Sequence, residues 1–147
     1  MNPDFLDMLS AFLDEDVEFL LVGAYALSAH GYPRATGDLD LWVNHQPDNA
    51  ARIWKALTTF RAPLGRIKQE DFCNDDLIFQ IGVVPNRIDI ITQIDGVTFE
   101  EAWDDRIVID MLEMKIPVIS KPDLIRNKKA TGRPKDKLDV LMLESDE

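Results

Sequence analysis

Apolar side chains at Phe5, Leu6, Met8, Leu9, Phe12 and Leu13 recur at helical spacing, and Pro3 suits a first turn, so the chain opens on an amphipathic helix over 4–13. The apolar run 17–22 ends at Gly23, and an alanine-rich stretch over 24–29 follows until Gly31 stops it. That pattern predicts strand, tight turn and short helix. Residues 32–37 hold Pro33 and Gly37 and read as a loop, whereas Asp38 to Val43 alternates polar and apolar and predicts a second strand. Ile53, Trp54, Leu57 and Phe60 share one face of a helix over 50–60. After a polar connection over 61–76, the runs 77–84 and 87–92 flank Pro85-Asn86, a hairpin signal. Residues 99–103 predict one helical turn, and 106–119, rich in β-branched residues, two short strands. Ser120 is placed to cap a helix from Pro122, Gly132-Arg133-Pro134 breaks it, and a final helix runs through Leu143. The sum is a single α+β domain over 1–147, α/β-like in its early crossovers, with a mixed sheet flanked by helices.

Composition narrows the class. With 147 residues, 46% hydrophobic and 29% charged, the chain can bury a core, and no apolar run reaches the roughly 20 residues of a membrane span. The acidic N-terminal segment has no basic stretch followed by an apolar core, so the expected location is cytoplasmic, without membrane attachment. Cys73, the sole cysteine, has no cluster of metal-ligating neighbours and reads as a bystander. The histidines His30 and His45 lack partners at ligand spacing, and Trp42, Trp54 and Trp103 read as core. A net charge of −11 argues against duplex DNA as a partner. Against that background residues 121–137 carry seven basic side chains and only two acids, so the C-terminal helices, about 121–144, form a basic patch. Such a patch is a solvated helix face or a site for phosphate or an acidic partner.

Asp38 and Asp40, two apart on a predicted strand, share a face and can hold divalent cations; magnesium, which favours carboxylate and phosphate oxygens, suits the pair better than zinc. The alternative for an isolated Asp-x-Asp is an exposed polar strand end. Two neighbours favour the site. Gly23 stands where a strand turns into a helix, leaving backbone N–H groups open to phosphate. Asp89 interrupts the apolar strand Arg87-Ile88-Asp89-Ile90-Ile91, where a carboxylate is costly unless paired or coordinated.

These residues resemble the DNA polymerase β-like nucleotidyltransferase superfamily: a glycine turn opening a helix (Gly23-Ala24), then the acid pair in Asp38-Leu39-Asp40-Leu41, then a third acid on a later strand (Asp89). The string from Gly23 to Asp40, with His30, Gly31, Arg34 and Thr36, and the ending Lys128-Lys129-Ala130-x-Gly132-Arg133-Pro134-Lys135-Asp136-x-x-Asp139, resemble small bacterial proteins of two kinds, abortive-infection toxin-type and antibiotic-type nucleotidyltransferases. The likeness covers about residues 17–140. It departs at Ala24, where the pattern has Gly or Ser; the lost hydroxyl removes one phosphate contact and leaves the backbone N–H groups intact.

The resemblance implies a nucleotidyltransferase fold with Asp38, Asp40 and Asp89 as catalytic and metal-binding acids and Mg2+, or Mn2+ in its place, as cofactor. Gly23, Ala24, Arg34, Thr36, Lys128, Lys129, Arg133 and Lys135 are implied to bind the nucleotide. The implied reaction moves a nucleoside monophosphate from a nucleoside triphosphate to a hydroxyl of a protein, an RNA or a small molecule. The competing expectation is an antitoxin or nucleotide-binding regulatory module of the same fold, weakly active or inactive, acting on a toxin or antitoxin partner. A glycosyltransferase leaves the glycine turn and third acid without a role, and an Asp-x-Asp phosphatase does not accommodate Trp42.

Overall fold

The computed structural model describes every residue except Pro33, Ala35, Thr36, Val84, Asp146 and Glu147. Asn2 caps α1 (Pro3–Asp14) by accepting from Asp4 N–H at 2.7 Å, and the buried stripe Phe5, Met8, Leu9 and Phe12 is the face the sequence pattern predicts. β1 (Phe19–Val22) is buried throughout and runs straight into α2 (Gly23–Ala29). β2 (Leu39–Val43) and α3 (Pro47–Phe60) follow, with Pro47 in the first turn and Arg61 ending α3 in the left-handed conformation. The connection after α3 holds a short 3-10 helix over Gln69–Cys73, which the sequence pattern did not reveal. β3 (Ile78–Ile81) and β4 (Ile88–Ile91) form the predicted hairpin, and α4 (Phe99–Asp104), β5 (Ile107–Met111) and β6 (Met114–Val118) follow in the predicted order. Ser120 caps α5 (Lys121–Thr131), Gly132 ends it at φ +68°, and α6 (Pro134–Ser145) completes the chain described.

The six strands make one mixed sheet in the order β3-β4-β2-β1-β6-β5. The pairs β1/β2, β3/β4 and β5/β6 are antiparallel, whereas β2/β4 and β1/β6 are parallel. Register fixes which residues share a face. Val22, Asp40, Asp89 and Gln80 form one row across β1, β2, β4 and β3, and Leu20, Trp42, Ile91 and Ile78 form the next row on the same face. The opposite face carries Leu21, Leu41 and Ile90 of the core, and Phe79, half-buried against it. That back face is covered by α1, through Phe12 against Phe19 at 5.3 Å, and by the 3-10 helix, through Phe72 against Phe79 at 6.0 Å. On the front face Trp42 packs edge-on against Phe99 of α4 at 5.2 Å. The rest of that face, beyond Trp42, is where the acids emerge. Among the described residues no helix is long and apolar enough to cross a membrane.

Candidate active site

Three short turns converge on the acids. Asp40 sits inside β2 and is register-paired with Asp89 of β4, so the two carboxylates stand side by side on the front face. Asp38 precedes β2 by one residue and is held by the start of β4: the Arg87 N–H donates to its Oδ1 at 3.2 Å, while Leu39 N–H donates to the Arg87 carbonyl at 2.9 Å. The glycine before α2 has a sharper role than the sequence implies. Gly23 adopts φ +70°, and a Cβ there would lie 2.2 Å from Asp40 Oδ2. Its missing side chain therefore makes room for the carboxylate itself. At Gly37 a Cβ would fall 2.3 Å from the Pro85 carbonyl oxygen, so the β3–β4 turn closes directly onto the segment leading to Asp38.

Asp40 is the strained member of the set. Burial, reinforced by the charges of Asp89 and Asp38 and by a hydrogen bond to Asp89, pushes its carboxyl up to about 6, against a smaller opposing pull from Arg87. Arg87 is the cation among these acids. Its Nε donates to Asp89 Oδ1 at 2.7 Å and one terminal nitrogen to Asp89 Oδ2 at 3.1 Å, and it also pairs with Asp38 Oδ2 at 3.2 Å. Three carboxylates against one guanidinium leave an excess of negative charge.

That donor set, all carboxylate oxygen and under-neutralised, has the chemistry of a site for a hard divalent cation. Among the described residues, however, no three His, Cys, Asp or Glu side chains surround a common point as metal ligands would. The reason is visible in the ion pairs: Arg87 engages two of the three acids. A metal here would have to take those oxygens from the guanidinium.

The opposite wall of the site comes from α5, α6 and Arg34. Lys128 is buried and donates to Asp136 Oδ1 at 3.2 Å and to Asp139 Oδ2 at 3.0 Å. Arg34 forks onto Asp139, one bond being 3.1 Å, and Arg133 Nε and Thr131 Oγ1 each donate to Asp136 Oδ2 at 2.6 Å. Burial alone would raise both aspartates. The bonds from Arg34 and Lys128 override it at Asp139, and those from Thr131, Arg133 and Lys128 override it at Asp136, holding both carboxyls below the usual range.

The two walls face each other across a cavity of about 420 Å3. Asp38, Asp40, Asp89 and Asp136 line it together with Arg34, Arg87, Lys128, Arg133 and Lys135, and Gly23 and Ala24 contribute the turn. Sequence reasoning thus brings together nine of the eleven residues it assigned to the site. Lys129 is not among the lining residues; it is exposed and pairs with Glu144 at 2.6 Å. Thr36 lies outside the described residues. Sequence reasoning missed Arg87, whose signal was its i,i+2 spacing from Asp89 on a strand, and gave no role to Asp136 and Asp139, whose signal was two acids inside a basic patch. His30 has a structural role, donating from Nε2 to the Ile119 carbonyl at 2.8 Å.

No protein-family model and no curated protein matches the chain in sequence. In three dimensions it is similar to a crystal structure of a Thermotoga maritima protein described as a candidate nucleotidyltransferase, with a TM-score of 0.63 and 14% identity over 100% of this chain and 96% of that one. The likeness establishes a nucleotidyltransferase fold: one α+β domain built on a mixed six-stranded sheet.

Proposed function

We propose that this protein is a nucleotidyltransferase, moving a nucleoside monophosphate from a nucleoside triphosphate to a hydroxyl acceptor. The observation that carries the reading is the cavity between Asp38, Asp40 and Asp89 on one side and Arg34, Lys128, Arg133 and Lys135 on the other, on this fold. A polyanion with a reactive phosphorus needs both walls: cations along its charged tail and carboxylates at the reacting end. In this reading Arg133 and Lys135, the exposed cations, meet the terminal phosphates, and Arg34 and Lys128 back them from within the ion-pair network. No side chain caps α2, and its first two residues, Gly23 and Ala24, line the same space. Magnesium or manganese held by Asp38, Asp40 and Asp89 would neutralise the triphosphate and polarise the phosphoryl group under attack.

Calorimetry with ATP, CTP and GTP in the presence of Mg2+ tests this. Wild-type protein should bind at least one of them, and Asp38→Asn with Asp40→Asn should abolish binding while the far-ultraviolet spectrum stays unchanged. Unaltered binding in the double variant sinks the site.

One observation favours the regulatory alternative. Leu138, Leu141 and Met142 form an exposed apolar stripe on α6, the helix that also supplies Asp136 and Asp139. A partner seated there would act directly on the basic wall. Labelled nucleotide separates the two: a labelled acceptor identifies the enzyme, and binding without transfer identifies the regulator.

A further inference from the structure

Resting on the transfer reading above, the geometry points to a second cavity, beside Asp40, as the acceptor subsite, and to a small uncharged or cationic alcohol or phenol with an apolar body as its occupant. This cavity measures about 430 Å3 and shares Gly23, Asp40 and Arg133 with the first. Among the lining residues described, Asp40 is the one acid of the three that borders both spaces; Asp38 and Asp89 line the first alone. An acceptor and a triphosphate seated in the two cavities would therefore meet at Asp40.

The lining decides the chemistry. The row behind the acids on the front face contributes Ile91 and Ile78, and Val22 and Ile94 complete an aliphatic shelf. Ile78, on the edge strand β3, is 63% exposed, an uncovered apolar surface beside a charged site. Across the shelf stand Gln93, Asn127 and Thr131, neutral groups that orient a polar substituent without selecting a charge. Among the described lining residues the ionisable side chains of this cavity are two acids, Asp40 and Asp95, and one base, Arg133, where the first cavity has five bases. A polynucleotide acceptor would bring a phosphate at every residue into that acidic lining, on a chain of net charge −11, with neither a cationic track nor an exposed aromatic platform along it. The volume lies within the roughly 300–1,000 Å3 of small-molecule clefts.

In the transfer, the acceptor hydroxyl oxygen attacks the α-phosphorus of the triphosphate. A new O–P bond forms, the bond from that phosphorus to the bridging oxygen of the β-phosphate breaks, and pyrophosphate leaves with its electron pair. The hydroxyl proton passes to solvent water.

Saturation-transfer NMR on the full chain tests the assignment with a panel of neutral and amine-bearing alcohols and phenols, including cyclohexanol, phenol and tyramine. Members of the panel should bind wild-type protein and stay bound when α,β-methylene-ATP and Mg2+ are added. Ile91→Trp fills the cavity and should weaken panel binding by on the order of tenfold, with affinity for the nucleotide analogue unchanged. Ile78→Trp, at an exposed position that tolerates a larger ring, gives the same readout if the first variant does not fold. Panel binding that is absent, equal in wild type and variants, displaced by the analogue, or displaced by the oligonucleotide (rA)6 overturns the assignment. Failure of wild-type protein to bind the analogue, with panel binding intact, overturns the transfer reading and removes the acceptor role with it.

Discussion

Two aspartate clusters face each other across one cavity, and the same side chain behaves oppositely in them. Asp136 and Asp139 are almost fully buried, yet their carboxyls are held below the usual range because Lys128, Arg34, Arg133 and Thr131 converge on them. At Asp40 burial pushes the carboxyl up to about 6, two neighbouring acids add to the rise, and the one guanidinium, bound mainly to Asp89, does not reverse it. Burial raises the carboxyl in both clusters, and the local balance of donors and charges decides whether that rise survives. A balanced cluster is a structural joint, whereas an under-neutralised one is left with an excess of negative charge.

The joint is the place where substitution should cost most. Asp139→Ala leaves Arg34 and Lys128 without their shared carboxylate, and losing one member of a buried ion pair costs about 3–5 kcal/mol. Thermal unfolding should fall by on the order of 10 °C for a chain of this size. A shift of only a degree or two would mean that solvent reaches this network.

At the acid cluster the effect is smaller and opposite in sign. The raised carboxyl of Asp40 means that the folded state prefers its protonated form, so the stability this supplies is complete below an unfolded value near 3.8 and is lost as pH rises through about 6. Asp40→Asn, fixed in a neutral state, should stabilise the metal-free protein by on the order of 2 kcal/mol at pH 7.5 and by almost nothing at pH 4. Asp136 and Asp139, with lowered carboxyls, set the contrary slope: their stabilisation is present above the unfolded value and disappears as acid protonates them. Denaturant melts of Asp40→Asn at the two pH values check the contrast, and equal shifts at both would erase it.

The smallest effect sharpens the role of Arg87. Arg87→Gln removes the internal cation, so metal-free stability should drop slightly, while affinity for Mn2+, read by calorimetry, should rise by on the order of tenfold because the metal no longer competes with a guanidinium. Weaker Mn2+ binding in this variant would mean that Arg87 supports the metal rather than opposing it.

Much of this was legible in the chain. Among the described residues, periodicity gave every α-helix and strand in order, since long apolar stripes such as Phe5 to Phe12 and runs such as 17–22 state their burial directly. The 3-10 helix over Gln69–Cys73 escaped because its single buried anchor, Phe72, has no partner at helical spacing. In the site, Asp38, Asp40 and Asp89 could be named from strand parity and the cost of an acid in an apolar run. The partners of the basic patch could not, because pairing is a matter of three-dimensional distance: Lys128 and Lys129 are adjacent in sequence, but one turns to Asp139 inside and the other to Glu144 outside. The sequence reading of Gly23 concerned backbone N–H groups open to phosphate; in the structure the space its missing side chain leaves is taken by the protein's own Asp40.

The fork between Arg34 and Asp139 joins positions 105 residues apart. It therefore imposes an order in time on the making of the protein. A ribosome adding about 5–20 residues per second releases the glycine turn and all three acids well before α6 emerges, and through that interval Arg34 lacks its carboxylate partner, Asp139. The basic wall sets only when α6 docks, so a chain interrupted after β6 carries the acids but not the two helices that face them. Synthesis itself keeps the site incomplete until the helix that locks it has been made.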